Sequence, residues 1–220
     1  TIEWIDIQNN QPIKTRLASP QLSIASIYQA LCLGVKDYIW KNGFPGALLG
    51  LSGGVDSALT LAIAVDALGA DKVKAVMMPT QYTASISLED ANEISELLGV
   101  KLFECSIQPL FEQYLSKIES DFQISSDSTS SNTMPENLQA RIRGTLLMAL
   151  SNHSGSIVLT TGNKSEMAVG YCTLYGDMAG GFAVLKDVSK TLVYQLCEYR
   201  NLISRVIPER IIQRAPSAEL

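Results

Sequence analysis

The stretch Ala47-Leu-Leu-Gly-Leu-Ser-Gly-Gly-Val-Asp-Ser57, followed by Ala58-Leu-Thr-Leu-Ala-Ile-Ala-Val-Asp-Ala-Leu-Gly69, decides the fold. Residues 47–51 form a short apolar run, which is typical of a strand buried on both faces. Residues 52–57 are polar and rich in glycine, and residues 58–68 have the length of a helix that Gly69 ends. The stretch therefore predicts a buried strand, a tight loop and a helix, in that order.

Strand-like and helix-like segments alternate along the rest of the chain. Such alternation with short connections predicts parallel strands joined by right-handed helical crossovers. We therefore predict the α/β class: a doubly wound parallel sheet flanked by helices. The predicted strands are 47–51, 73–78, 100–107 and 156–160, and the predicted helices are 22–41, 58–68, about 87–98 with Ser87 as N-cap, 109–118 and 136–150.

Two polar segments and the two ends of the chain fall outside this alternation. We predict a linker or docking arm at residues 1–20 and a single domain at residues 21–220. Within that domain, we predict an exposed loop at the serine-rich residues 125–131. The chain begins with Thr1 instead of methionine, and no helix-ending signal precedes Leu220. We therefore expect a piece of a longer protein with an incomplete C-terminal tail.

The composition excludes several classes of protein. Hydrophobic residues make up 46% and charged residues 18% of the 220 residues, and the net charge of −5 disfavours a nucleic-acid-binding surface. The four cysteines form no Cys-x-x-Cys pair and there is one histidine, which argues against zinc and iron–sulfur sites. No apolar run approaches the roughly 20 residues that span a bilayer. We expect a cytoplasmic enzyme with free thiols that binds neither nucleic acid nor a membrane.

The glycine-rich loop has the features of an anion site. Gly53 and Gly54 allow a tight turn and a close approach, and the first amides of the following helix would point at the anion. Ser52 and Ser57 add hydroxyl donors. The loop lacks the Gly-Lys-Ser/Thr of a Walker A motif and the spacing of a dinucleotide fingerprint. Asp56 would repel a polyphosphate unless a cation lay between them, so we interpret it as a Mg²⁺ ligand. The simpler alternative is a glycine turn with a capping aspartate.

Ser52-Gly-Gly-Val-Asp-Ser57 resembles the pyrophosphatase loop of the ATP pyrophosphatases, which cleave ATP between its α- and β-phosphates. That superfamily includes NAD synthetases, GMP synthetases, asparagine synthetases and tRNA-thiolating enzymes, on a Rossmann-like, adenine nucleotide alpha-hydrolase-like fold.

Further segments resemble the NAD synthetases among them. Glu136-Asn-Leu-Gln-Ala-Arg-Ile-Arg-Gly144 is similar to their Asn-x-x-x-Arg-x-Arg helix. Thr161-Gly-Asn-Lys-Ser-Glu166 and Gly170-Tyr-Cys-Thr-Leu-Tyr-Gly-Asp177 resemble their next strand end and substrate loop. Lys190 and Pro216-Ser217-Ala218 match later phosphate-contacting positions. The sequences of the segments 77–79, 82–85 and 176–181 are typical of the glutamine-dependent enzymes.

This resemblance implies an activity and a set of site residues. The activity is the ATP-dependent amidation of deamido-NAD to NAD through an acyl-adenylate, with ATP and Mg²⁺ required. The implied ATP contacts are Gly50, Leu51, Ser52, Gly53, Gly54, Val55, Asp56, Ser57, Thr161, Lys190 and Ser217, and the implied Mg²⁺ ligands are Asp56 and Glu166. The implied deamido-NAD contacts are Asn137, Arg141, Glu166, Tyr171 and Asp177; Asp56, Glu166 and Lys190 would carry the catalytic step.

The resemblance also implies partners. Ammonia would come from a glutaminase domain or subunit, and the chain would form a homodimer or a higher homo-oligomer, with the helices 22–41 and 136–150 near the interface. Two other functions stay open: another ATP pyrophosphatase, such as a GMP synthetase or a tRNA-thiolating enzyme, and a non-catalytic nucleotide-binding module. Single residues also have simpler interpretations, since Glu166 could merely cap a helix that starts near Lys164 and Arg141 could be a solvated surface charge.

Overall fold

A computed structural model describes residues 7–8, 11–12, 23–123 and 133–215. The predicted loop at 125–131 and most of the predicted arm at 1–20 lie outside the described residues, as does Ser217. Within the arm, β1 (Ile7–Gln8) pairs antiparallel with β2 (Gln11–Pro12).

The centre of the described chain is a five-stranded parallel sheet, which confirms the predicted fold class. Its strands are β3 (Ala47–Gly50), β4 (Val73–Met77), β5 (Lys101–Glu104), β6 (Ile157–Thr160) and β7 (Phe182–Ala183), in the spatial order β5-β4-β3-β6-β7. β3 is the middle strand, so the glycine-rich loop that follows it emerges from the centre of the sheet, between the ends of β4 and β6.

Helices connect and flank these strands. Those of the first half are α1 (Ser23–Lys41), α2 (Val55–Leu68), α3 (Ser85–Leu98) and α4 (Gln108–Phe122), with a 3₁₀ turn at Ala70–Lys72. Those of the second half are α5 (Met134–Ser154), α6 (Lys164–Val169), α7 (Lys190–Ile203) and α8 (Glu209–Gln213). Among the described residues, no helix combines the length and the apolar character needed to cross a membrane.

Alternating side chains of the strands feed hydrophobic clusters on both faces of the sheet. In β3, Ala47 and Leu49 pack with α1, α2, α3, α7 and α8, whereas Leu48 packs with α4 and α5 on the opposite face. β6 repeats this pattern, because Ile157 and Leu159 join the first cluster and Val158 joins the second. Both faces are therefore covered, which explains the continuous apolar runs in the sequence.

Several predicted boundaries are wrong. α2 begins at Val55 instead of residue 58, because the polar residues after Gly54 form its first turn. α3 begins at Ser85 with Ala84 as N-cap, so Ser87 is not the cap; it lies in the first turn, is buried and accepts a hydrogen bond from Arg214. The third predicted strand ends early, at Glu104, and the helix after it continues to Phe122. The sequence interpretation missed β7, α7 and α8.

Candidate active site

The loop between β3 and α2 folds tightly at the carboxyl edge of the sheet. Gly53 has φ +78°, and a Cβ atom there would lie 2.6 Å from the carbonyl oxygen of Ser87, so the position requires glycine. Gly54, the N-cap residue of α2, has no side chain with which to cap the first turn. The amides of that turn have no partner within the helix, and they offer donors to an anion at this edge.

Two serines brace the loop from within. The Ser57 hydroxyl donates to the carbonyl oxygen of Gly54 at 2.9 Å, and it lies 3.2 Å from the Ser52 hydroxyl. The amide of Gly54 donates to the Ser52 oxygen at 3.3 Å. The two hydroxyls therefore hold the loop in shape.

Side chains from three helices meet beside this loop. Asp56, on α2, accepts a hydrogen bond from the side-chain amide of Asn163 at 2.9 Å and forms an ion pair with the ammonium of Lys190, the first residue of α7. The side chains of Asp56 and Lys190 are only 16% and 25% exposed, and Asn163 is buried. Asp56 and Lys190, 134 positions apart in sequence, are thus held together beside the loop.

Glu166 lies next to this cluster and caps α6. Its carboxylate accepts from the amide of Asn163 at 3.1 Å, and its own amide donates to the Asn163 side chain at 3.0 Å, which is a complete capping box. Burial raises the pKa of Glu166; the Asp56 carboxylate adds to this rise, while the Asn163 amide and Lys190 oppose it. The capping role considered from sequence is confirmed, and a role in metal binding stays a prediction. Asn163 itself was missed, although its Asn-x-x-Glu spacing could have revealed it.

The helix α5 packs one edge against residues 173–177. Asn137 accepts a hydrogen bond from the Thr173 hydroxyl at 2.8 Å, and Arg141 donates to the carbonyl oxygen of Leu174 at 3.2 Å. A Cβ atom on Gly144 would lie 2.4 Å from the carbonyl oxygen of Gly176, so helix and loop are in direct contact. These hydrogen bonds give Asn137 and Arg141 a defined position at the predicted substrate loop, and Arg141 is not a purely solvated charge.

The cluster around Asp56 and Asn163 lies next to the contact between α5 and residues 173–177. A Cβ atom on Gly162 would collide with the Met178 side chain, so the segment after β6 and the substrate loop pack together. Burial raises the pKa of Asp177, and the neighbouring Arg143 guanidinium opposes the rise. Tyr171 is 61% exposed and points away from the core. Thr161 directly follows β6, on the same edge as the glycine-rich loop.

The donor set fits a magnesium ion that completes its shell with phosphate and water. Mg²⁺ in phosphate sites is held by one or two carboxylates, and Asp56 and Glu166 are close enough to influence each other electrostatically. Within the described part of the chain, no three His, Cys, Asp or Glu side chains are grouped to hold an ion. The Lys190 ammonium balances the Asp56 charge, and magnesium binding by the two carboxylates stays a prediction.

The chain is similar in sequence and in fold to known NAD synthetases. The family model for NAD synthase matches residues 27–220. The glutamine-dependent NAD(+) synthetase of Acinetobacter baylyi is 55% identical over 217 residues, 98% of this chain and 39% of the relative. The corresponding Acinetobacter baumannii enzyme, solved with ADP, is 53% identical with a TM-score of 0.86, covering 93% of this chain and 38% of that chain.

Enzymes of the ammonia-dependent type are also similar. The NH3-dependent NAD synthetase of Campylobacter jejuni is 31% identical with a TM-score of 0.76, covering 87% of this chain and 77% of that chain. This chain spans 33% to 39% of the length of the curated glutamine-dependent relatives that it matches. The match over residues 27–220 favours an NAD synthetase over the GMP synthetase and tRNA-thiolating alternatives. The chain belongs to the NAD synthase family.

Proposed function

We propose that this chain catalyses the ATP-dependent amidation of deamido-NAD. The nicotinate carboxylate attacks the α-phosphorus of ATP, which forms an acyl-adenylate and releases pyrophosphate. Ammonia then attacks the activated carbonyl, and NAD and AMP are released. The observation that carries the proposal is the meeting of Asp56, Lys190 and Glu166 around Asn163, at the mouth of a glycine-rich loop that opens a helix.

The chemistry explains why such a site needs no protein nucleophile. A carboxylate resists attack by ammonia because its leaving group would be oxide, and adenylation replaces that group with AMP. Both steps depend on neutralising charge and aligning the reacting groups. The candidate site offers helix amides, hydroxyls and an ammonium group at the glycine-rich loop, which suits a polyphosphate whose charge shifts during the reaction.

The phosphates of ATP lie against residues 50–57 in this proposal, with the β- and γ-phosphates at the first-turn amides of α2. Lys190 leaves Asp56 for the departing phosphates, while Asp56 and Glu166 hold Mg²⁺. The ion supplies charge neutralisation of the phosphates when it is bound. Thr161 contacts ATP near the adenosine or the α-phosphate, and Ser217 contacts the phosphates.

Deamido-NAD binds where α5 meets the substrate loop. Asn137, Arg141 and Glu166 contact it, and Tyr171 and Asp177 shape its nicotinate pocket. The hydrogen bonds from Thr173 to Asn137 and from Arg141 to Leu174 support this assignment, because they hold the helix and the loop together and give both residues a defined position.

The partners follow from the same family membership. Ammonia comes from glutamine through an amidohydrolase domain or subunit, which the names of the relatives and the partial coverage of their length support. We also propose a homodimer, a cytoplasmic location, a linker or docking arm at residues 1–20 and a synthetase domain at 21–220. All four cysteines are free thiols, which suits a reducing compartment.

Product analysis tests the activity. The chain is incubated with ATP, Mg²⁺, ammonium and deamido-NAD, and NAD, AMP and pyrophosphate are measured by liquid chromatography. Equal amounts of the three products are expected. Parallel reactions with nicotinate mononucleotide and with XMP test alternative acceptors, since a structural relative from Francisella tularensis, 29% identical, is described as an NMN synthetase. Formation of GMP, or of NMN without NAD, would overturn the substrate assignment.

A further inference from the structure

The glycine-rich loop rests on the first turn of α3. A Cβ atom on Gly53 would lie 2.6 Å from the carbonyl oxygen and 2.9 Å from the Cα atom of Ser87, so the two backbones touch at this point. Ser87 is buried, with 1% of its surface exposed. Any displacement of Ser87 toward or away from the loop would therefore shift Gly53 and the amides that follow it.

The other side of this α3 turn is held by α8 and the residue after it. The Arg214 guanidinium donates to the Ser87 hydroxyl at 2.8 Å. One turn earlier on the same helix, Arg210 donates to Asp90 at 2.6 Å and lies within salt-bridge distance of Glu89 and Glu93. Two arginines thus fasten α8 to the half of α3 that supports the loop.

We infer that Arg214 is a positioning residue for the nucleotide loop and acts on it through Ser87. The inference rests on the proposed function, because the loop must bind ATP for its position to matter. Interior packing transmits small displacements, and couplings through such contacts commonly change an affinity severalfold. Fixing Ser87 keeps Gly53 and the α2 amides in one arrangement before the phosphates arrive, which lowers the cost of binding.

Arg210 is unsuitable as the main probe of this coupling. Asp90 has no exposed surface, its second oxygen is buried without a hydrogen-bond partner among the described residues, and its first oxygen accepts from Arg210. Removing Arg210 would leave a buried charge and destabilise the fold as a whole. At Ser87, Arg214 donates to a neutral hydroxyl instead of a carboxylate.

The test compares Arg214→Met, Arg214→Lys and Ser87→Ala with the unsubstituted chain. Arg205→Met is the matched control, because Arg205 precedes α8 and forms an exposed ion pair with Glu209. The Arg205 side chain is 71% exposed and the Glu209 side chain 59%. Titration calorimetry measures the dissociation constant for ATP with Mg²⁺, steady-state kinetics measure KM for both substrates, and thermal unfolding reports stability.

We expect Arg214→Met to weaken ATP binding by about threefold to tenfold. The KM for deamido-NAD stays unchanged, and Arg214→Lys recovers part of the loss because its ammonium can donate to the same hydroxyl. Ser87→Ala keeps the backbone contact with Gly53 and removes the hydroxyl that accepts from Arg214, so it should weaken ATP binding in the same direction. In the double variant Arg214→Met with Ser87→Ala, the loss of ATP affinity should be smaller than the sum of the two single losses. The Arg205→Met control should bind ATP as the unsubstituted chain does.

Three results would overturn the inference. They are equal ATP affinity in a folded Arg214→Met chain, additive effects in the double variant, and a loss of stability with ATP affinity preserved well below the unfolding temperature. If Arg214→Met fails to fold, Ser87→Ala decides alone, and unchanged affinity there has the same meaning. Absence of ATP binding by the unsubstituted chain would instead refute the proposed function, and this inference with it.

Discussion

Replacing Asp56 with asparagine is the substitution that separates the role of this site in catalysis from its role in stability. Asparagine keeps the size of the side chain and one acceptor oxygen. It removes the charge that pairs with Lys190, and it cannot accept from both Lys190 and Asn163 through two carboxylate oxygens as Asp56 does. In the proposed function it also removes one of two magnesium ligands.

The cost in stability follows from the burial of the pair. A fully buried ion pair that loses one partner typically costs about 3–5 kcal/mol, whereas an exposed pair costs less than about 1. With 16% and 25% exposure the Asp56–Lys190 pair lies between these limits, and we expect about 1–3 kcal/mol, including the loss of a favourable charge in the first turn of α2. That corresponds to a drop in Tm of about 2–12 °C, so the variant stays folded at 25 °C.

The cost in catalysis should be much larger. Losing one preorganised electrostatic contact typically lowers kcat by about 100-fold or more, so pyrophosphate release should fall at least that far. Pyrophosphate is followed by a coupled colorimetric assay, and unfolding by circular dichroism. Asp71→Asn is the control, because it makes the same change in charge at an exposed position on the 3₁₀ turn after α2. Turnover that is unchanged in a folded Asp56→Asn chain would refute the metal assignment.

Other substitutions and measurements probe the remaining parts of the site. Burial raises the pKa of Glu166, so ionisation of its carboxyl lowers the stability of the fold as pH rises through that pKa. Without metal, Glu166→Gln should therefore unfold at an equal or higher temperature than the unsubstituted chain at pH 8, and this difference should vanish near pH 4. The variant should lose activity at every pH. A lower Tm at pH 8 would contradict this. Asn137→Ala should raise the KM for deamido-NAD by about tenfold with the KM for ATP unchanged, by steady-state kinetics. The exposed Cys172 should react with a thiol reagent within minutes, and more slowly with deamido-NAD present. Cys197 is buried, which raises its pKa, so it should react only after unfolding. Mass spectrometry of labelled peptides measures both reactions. Small-angle scattering at micromolar concentration should give the mass of a dimer, and a monomer mass would contradict that proposal.

The architecture could be predicted because its causes are local in sequence. The apolar run at 47–51 and the alternating strands and helices follow from burial on both faces of a parallel sheet, and all four predicted strands exist. The errors at the starts of α2 and α3 arose because polar residues begin both helices. Val55-Asp-Ser57 resembles loop in composition, but its free amides are what an anion-binding helix start requires.

The site could be predicted only in part, because its contacts join distant residues. The sequence indicated Asp56, Glu166 and Lys190 separately, and the fold brings them to one edge of the sheet. No local pattern could show that Asn163 would bridge Asp56 and Glu166, or that Arg214 would reach Ser87 across 127 positions. Such pairs depend on the order of the strands, which hydrophobic periodicity does not specify.

The central claim is that the main-chain amides at the start of α2 hold the phosphates of ATP beside Asp56 and Glu166. A crystal structure of the chain with Mg²⁺ and an ATP analogue that resists cleavage between its α- and β-phosphates tests it most directly. We expect phosphate oxygens within hydrogen-bond distance of the amides of residues 53–57 and a magnesium ion coordinated by both carboxylates. A nucleotide bound elsewhere, with that helix start facing only water, would contradict it.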